Sequence, residues 1–122
     1  MPRAIMLALT EPADSADDDV YNSWYDDKHL HDVVNVPGVV AATRYKLAKG
    51  IELLPGALEV QQRYLAIYEL EADTEEGLGK FAEELKAALT DGRADIHVSM
   101  DMTTLGAAFA LPIGPRLESP NT

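Results

Sequence analysis

Tyr21–Tyr45 reads YNSWYDDKHLHDVVNVPGVVAATRY. It runs from a helix carrying an aromatic pair and two histidines, through a Val-Pro-Gly turn, into a strand. On helical spacing Tyr25, His29, Val33 and Val36 form one row, about 4 residues apart. A histidine in an apolar row sits against a partly dry surface, where its proton affinity can be tuned. The pattern predicts a helix over 16–34, opened by Ser15 as a cap with Asp18 three residues on. Val20, Tyr21, Trp24 and Tyr25 define its first buried face. Beyond Lys28 the apolar positions Leu30, Val33 and Val34 turn to another side, so the helix is expected to change neighbour or bend near His29. Val36-Pro37-Gly38 ends it, because proline restricts the residue before it and glycine permits the turn. Val39 to Ala48 then alternates as a strand.

Upstream, Arg3 to Thr10 is apolar on both alternating sets and bounded by Glu11-Pro12, which predicts a short strand covered on both faces. The acidic run 13–19 reads as a solvated loop and first helical turn. A calcium loop of the EF-hand type would need a glycine and a closing glutamate that are missing. Downstream, 50–62 is a long connection with Pro55-Gly56 in its middle. Its length and its apolar Ile51, Leu53, Leu54 and Leu58 suit a lid or an interface arm. Arg63 to Ala72 is a third strand. Asp73 to Glu76 has capping-box spacing. The helix it opens places Leu78, Phe81, Ala82, Leu85 and Leu89 on one stripe and ends at Gly92. Asp95 to Leu111 reads as the last strand, with Ile96, Val98, Met100 and Met102 alternating against His97, Ser99, Asp101 and Thr103. The expected organisation is one domain over 1–111 and a proline-rich tail over 112–122.

The chain has 122 residues, the size of one domain with one core, and 47% of them are hydrophobic. A net charge of -11 opposes binding to nucleic acid or an anionic membrane. The absence of cysteine excludes disulfides, thiolate catalysis and Cys-ligated metal, and suits a reducing cytoplasm. The apolar run 4–9 is too short for a signal core or a membrane span. No nucleophile elbow, P-loop or G-x-G-x-x-G is present, so a nucleotide cofactor is not expected.

Strand, helix, strand, strand, helix, strand is the order of the split βαβ, or ferredoxin-like, α+β fold: a four-stranded antiparallel sheet with both helices on one face. The other face is expected to be covered by the sheet of a second copy, giving a homodimer. The run W-Y-D-D-K-H, followed eight residues after the histidine by Pro37-Gly38 and then by A-A-T-R-Y, resembles the dimeric α/β-barrel superfamily, and within it the EthD-like proteins. The resemblance implies back-to-back sheets in a homodimer and a pocket between sheet and helices in each subunit. The superfamily includes cofactor-independent monooxygenases, polyketide cyclases, isomerases and haem-degrading enzymes, so it implies a fold more than a reaction.

His29 reads either as a general acid/base facing the pocket or as a packed histidine at the helix–strand junction. In the resembled family the histidine of this motif lines the pocket. Tyr25, one turn earlier, can orient the imidazole or a substrate, and the two are the catalytic candidates. His31 points about 160° away and reads as a surface residue. Trp24, Arg44, Tyr64, Tyr68 and His97 are the substrate-binding candidates. Each has a structural alternative: Trp24 as core bulk, Arg44 as a partner of the acids on the first helix, His97 as an interface residue. A metal on His29, His97 and Asp101 lacks a spacing signature, and none is expected. Two functions stay open. One is an enzyme without an organic cofactor, of the lyase, isomerase, cyclase or monooxygenase kind, moving a proton on a small apolar, aromatic or polyketide-like molecule. The other is a non-catalytic ligand-binding or accessory protein. A haem-using relative is a third, weakened by the lack of a basic cluster for the propionates.

Overall fold

A computed structural model describes residues 3–121. The described strands are β1 (Ile5–Thr10), β2 (Val39–Lys46), β3 (Tyr64–Leu70) and β4 (Gly106–Ala110). They form one antiparallel sheet in the order β2-β3-β1-β4. Between β1 and β2 runs a helical rod: a 3-10 turn (Ser15–Asp17), α1 (Asp18–Trp24), a π turn (Tyr25–His29) and α2 (Leu30–Val34). The last helix, α3 (Glu75–Asp91), joins β3 to the segment before β4. This is the ferredoxin-like arrangement that the order of elements predicts.

The register decides what faces the helices. Met6 pairs with Tyr68, Ala8 with Ala66 and Thr10 with Tyr64 across β1 and β3. That even-numbered set is buried or partly buried and joins Tyr21, Tyr25, Val33, Leu78 and Phe81 in a single core. The opposite set pairs Leu7 with Ile67, Leu9 with Leu65 and Tyr45 with Leu65. Those residues lie on the face away from the helices, and Tyr45 is 48% exposed there.

Both helices begin on side-chain caps, each one residue from the expected place. Asp14, not Ser15, accepts the Ala16 N–H at 2.9 Å. Thr74, not Asp73, accepts the Gly77 N–H at 3.0 Å. Gly92 closes α3 at φ 93°. Gly38 closes the first rod at φ 102°, and a Cβ there would stand 3.2 Å from the Phe81 ring. Val20 is 54% exposed, against the expectation that it belongs to the buried face. Tyr21 and Tyr25 take that face, and Val20 lies one step around the helix.

The expected strand over 95–111 is the largest correction. Only Gly106–Ala110 pairs as a strand, while 93–105 winds through turns and pairs with the segment after β1 through an isolated bridge, Pro12 to Met100. Side chains there satisfy the backbone locally. His97 Nδ1 accepts the Ser99 N–H at 3.1 Å, and Asp101 Oδ1 accepts the Thr103 N–H at 2.9 Å. Such bonds compete with a ladder. Val98 is 85% exposed, so the alternation that suggested a strand does not mark a buried face.

The connection 47–63 is closed at its base by Leu47 N–H donating to Arg63 C=O at 2.7 Å and by Lys49 Nζ donating to the Gln62 carbonyl at 2.8 Å. Its Ile51, Leu53, Leu54 and Leu58 are exposed. No helix among the described residues is long and apolar enough to cross a membrane.

Candidate functional site

The row Tyr25, His29, Val33, Val36 is buried along its whole length. The π turn occupies the first part of it, where Leu30 N–H donates to Tyr25 C=O five residues back. That wide turn lies where the apolar positions of the sequence change side. Tyr25, His29 and Val33 form one wall of a cavity of ≈ 100 Å³. Met6, Ala8, Thr10 and Tyr68 of the sheet form its floor. Leu85 and Leu89 of α3 and Ile96, Met100 and Leu105 of the following segment complete the apolar enclosure.

The polar groups of the cavity form a small set. Tyr25 and Tyr68 share a hydrogen bond between their hydroxyls at 3.2 Å. Thr10 Oγ1 is bonded to the Tyr21 hydroxyl. The His29 ring meets the Tyr25 ring edge-on at 5.0 Å and stacks on Trp24 at 4.6 Å. The Asp95 backbone carbonyl accepts from the imidazole. His29 Nδ1 is buried and has no hydrogen-bond partner.

Burial sets the charge state of these groups. It pulls the His29 pKa down to about 4, with Asp32 opposing weakly. It pushes Tyr68 up to about 12 and Tyr25 well above its ordinary value. At neutral pH the site holds an uncharged imidazole and two intact phenols. Arg44 is the cation that faces the two tyrosines. Its guanidinium lies 4.2 Å from the centroid of the Tyr25 ring and opposes the rise in the pKa values of both tyrosines.

Three of the seven residues singled out in the sequence thus share the cavity: His29, Tyr25 and Tyr68. Trp24 stands behind His29 and braces it. Arg44 pairs with Asp26 at 2.7 Å and Asn22 at 2.9 Å, taking the structural alternative. Tyr64 is outside the cavity, and its hydroxyl accepts from Asn22 Nδ2 at 3.1 Å. His97 is not on a strand. It lies on the turn beyond Trp24, its ring 5.7 Å from the indole, with Ser99 as partner. Among the described residues no group of three or more histidines and carboxylates is placed to hold a metal ion. His31 is exposed. Residues 47–63 do not line the cavity, so the connection is not a lid in this structure. Thr10, Met6 and Ala8 were the findable omissions, because strand alternation links all three to one face. The contributions of Ile96, Met100 and Leu105 depend on irregular backbone and left no periodic signal.

Fold and site together define a ferredoxin-like α+β domain with a small apolar cavity between sheet and helices. No family model and no curated protein matches the chain. Two solved structures share its fold. One is a mutant of MhuD with two manganese protoporphyrin IX bound per active site: TM-score 0.53, 16% identity, covering 94% of this chain and 99% of that one. The other is a monooxygenase from the gene ActVA-Orf6 of Streptomyces coelicolor in complex with nanaomycin D: TM-score 0.53, 15% identity, covering 97% of this chain and 94% of that one. Neither is named as an EthD-like protein, so that narrower branch rests on the W-Y-D-D-K-H run with the Pro37-Gly38 and A-A-T-R-Y that follow it. A porphyrin does not fit the cavity described here. Its volume is ≈ 100 Å³, and neither arginine nor lysine lines it to meet a propionate.

Proposed function

We propose that this chain is an enzyme of the EthD-like branch that binds a small, mostly apolar molecule in the cavity. It would move a proton on that molecule without an organic cofactor or metal. The observation that carries the reading is His29, with its buried and unpartnered Nδ1, on the same cavity as the hydrogen-bonded hydroxyls of Tyr25 and Tyr68. A buried polar atom without a partner is costly and calls for a functional reason. An imidazole with a pKa near 4 is a weak base in the empty cavity. A ligand anion forming beside it would raise that value by pairing, so transfer is favoured only with substrate in place. Cyclisation, isomerisation, elimination and oxygenation all begin with such a step. The likeness in fold to an ActVA-Orf6 monooxygenase favours oxygenation.

Two further parts of the reading concern assembly and location. The apolar outer face of the sheet supports a homodimer through the sheets, with a mass near twice 13.3 kDa by light scattering. A monomer persisting at micromolar concentration would sink that part. The lack of cysteine supports a cytoplasmic setting.

The test is oxygen uptake and product mass spectrometry across a panel of phenols, naphthols and enolisable ketones, without added metal or cofactor. Wild type and His31→Ala should turn over within a few-fold of each other. His29→Ala should lose on the order of 10²-fold or more, the usual worth of a positioned acid/base. Equal turnover in both variants would overturn the role of His29. A second reading, non-catalytic binding, is favoured by one observation. The cavity of ≈ 100 Å³ is below the ~300–1,000 Å³ usual for ligand sites. Saturable binding with no turnover of any panel member would put it ahead.

A further inference from the structure

We infer that the segment 93–105 is a door, which lifts when a ligand enters and joins the cavity to the surface cleft outside it, making one site for an uncharged apolar molecule of two rings or more. The inference rests on the reading that the cavity is the ligand site, and it names the entrance and the class of ligand.

The wall of the cavity is held unevenly. Apart from Ile96, Met100 and Leu105, the residues lining it stand on strands or helices, whose backbone is paired. Those three stand on irregular backbone between Gly92, which closes α3, and Gly106, which opens β4. The Ala94 N–H bond to the Ala88 carbonyl at 2.9 Å keeps the near end on α3. Further along, Ala13 N–H donates to the Ser99 carbonyl at 2.7 Å and Asp101 N–H to the Glu11 carbonyl at 2.9 Å. Gln62 Nε2 donates to the Thr104 carbonyl at 2.7 Å, and Lys28 and Asp95 form an exposed ion pair at 3.4 Å. The bonds of His97 with Ser99 and of Asp101 with Thr103 are internal and travel with the segment. A piece of chain fastened at scattered points outside the sheet opens before the core does.

A cleft of ≈ 580 Å³ lies on the outer side of the same segment. Leu89, Ile96 and Met100 border both spaces, so one layer of side chains divides them. Met100 is the member best able to swing aside, being unbranched and flexible. The cleft is lined by apolar groups left in water: Val98 is 85% exposed and Met102 55%. Grouped apolar exposure marks a contact surface. The closed cavity of ≈ 100 Å³ falls short of an ordinary ligand site, and joined to the cleft it reaches that range. Charge narrows the ligand further. Neither arginine nor lysine lines either space, and Asp95 and Asp101 stand at the cleft. An anion would be repelled at the mouth, and a cation would carry its charge into an apolar interior.

Fluorescence titration with N-phenyl-1-naphthylamine and its 8-sulfonate tests the class of ligand, since the two share their rings and differ by a negative charge. The neutral probe should bind saturably and at least 10-fold tighter than the sulfonate. Val98→Asp should weaken it about 10-fold and leave the thermal melt unchanged. The door is tested by fastening it. The chain has no cysteine, so an introduced pair is the sole disulfide. Pro12 and Met100 face each other as a non-hydrogen-bonded antiparallel pair, a spacing that a disulfide spans. Oxidised Pro12→Cys/Met100→Cys should take up the neutral probe at least 10-fold more slowly than the same protein after reduction. Ala13→Cys/Ser99→Cys fastens the segment without a cavity residue and should show the same difference, which decides the matter if the first pair misfolds. Equal uptake by oxidised and reduced forms, equal binding of the two probes, or an unaffected Val98→Asp variant overturns the inference. Saturable binding of phenol with none of the larger neutral probe also overturns it and leaves the ligand-site reading standing. Failure of both compounds to bind overturns both together.

Discussion

The two helical elements on the inner face of the sheet are built on different terms. α3 is regular, capped by Thr74 and closed by Gly92, and it presents Leu78, Phe81 and Ala88 to the core. It gives the cavity only the aliphatic Leu85 and Leu89. The first rod has a π turn in its middle and buries groups with polar tips: Tyr21, Tyr25 and His29. Its polar tips are held by hydrogen bonds from the sheet, Thr10 to Tyr21 and Tyr68 to Tyr25. One element stabilises by area removed from water, the other holds chemically useful groups in a dry place. A single sheet face can carry both because its β1 and β3 side chains serve each helix in turn.

Phe81→Ala should have the largest effect, since it empties the centre of the regular helix. We expect a loss of about 3–5 kcal/mol in chemical denaturation. The cavity should survive wherever the fold does, as Phe81 does not line it. A loss under about 1 kcal/mol would break the contrast between the two elements.

The next effect belongs to the first rod and depends on pH. His29 has a folded-state pKa near 4, below the ordinary 6.5 of the unfolded chain. Protonation therefore favours the unfolded state. The contribution is fully present above pH 6.5 and is lost as pH falls toward 4, for a total of about 3 kcal/mol. His29→Leu should flatten that part of the pH–stability profile. Urea midpoints measured between pH 7 and pH 4 decide it, and an unchanged slope in the variant would mean that other groups carry the effect.

Gly38→Ala probes the junction where the two elements meet. Its positive φ and the 3.2 Å approach to Phe81 predict a loss of about 1–3 kcal/mol. A thermal melt of the variant that matches wild type would show that the turn relaxes freely. Thr74→Ala is the smallest effect, about 1 kcal/mol, from the N-cap of α3 alone. A loss of that size with ligand binding unchanged would sharpen the division, whereas a change in binding would tie α3 to the site.

Much of this contrast was legible in the chain. The helical row from Tyr25 to Val36 and the stripe of α3 follow from spacing alone; the row is buried, and the stripe is buried at Leu78 and Phe81 and partly buried at Ala82, Leu85 and Leu89. The pocket position of His29 was open between two readings, and only the register of Met6 against Tyr68 brings the sheet under it. Tyr68 could not be assigned a face before that register was known. His97 was misread because Ile96, Val98 and Met100 alternate like a strand, while the turn-forming bonds of His97 and Asp101 leave no period. Arg44 was legible as a partner for the acids but not as a cation above Tyr25. That contact needs β2 and the rod brought side by side. The π turn has no periodicity of its own beyond the change of apolar side near His29.

The π turn holds one residue more than an α-helical turn needs. An ordinary helical turn closes four residues back, and here Leu30 closes five back. Removing exposed Asp27 would let the rod heal into a regular helix with α1 and α2 still in place. Tyr25 and His29 would then stand three residues apart, still on one face of the helix but without the extra residue of the wide turn between them. A protein with that deletion should melt close to wild type. Loss of the fold instead would mean that the extra residue is structural.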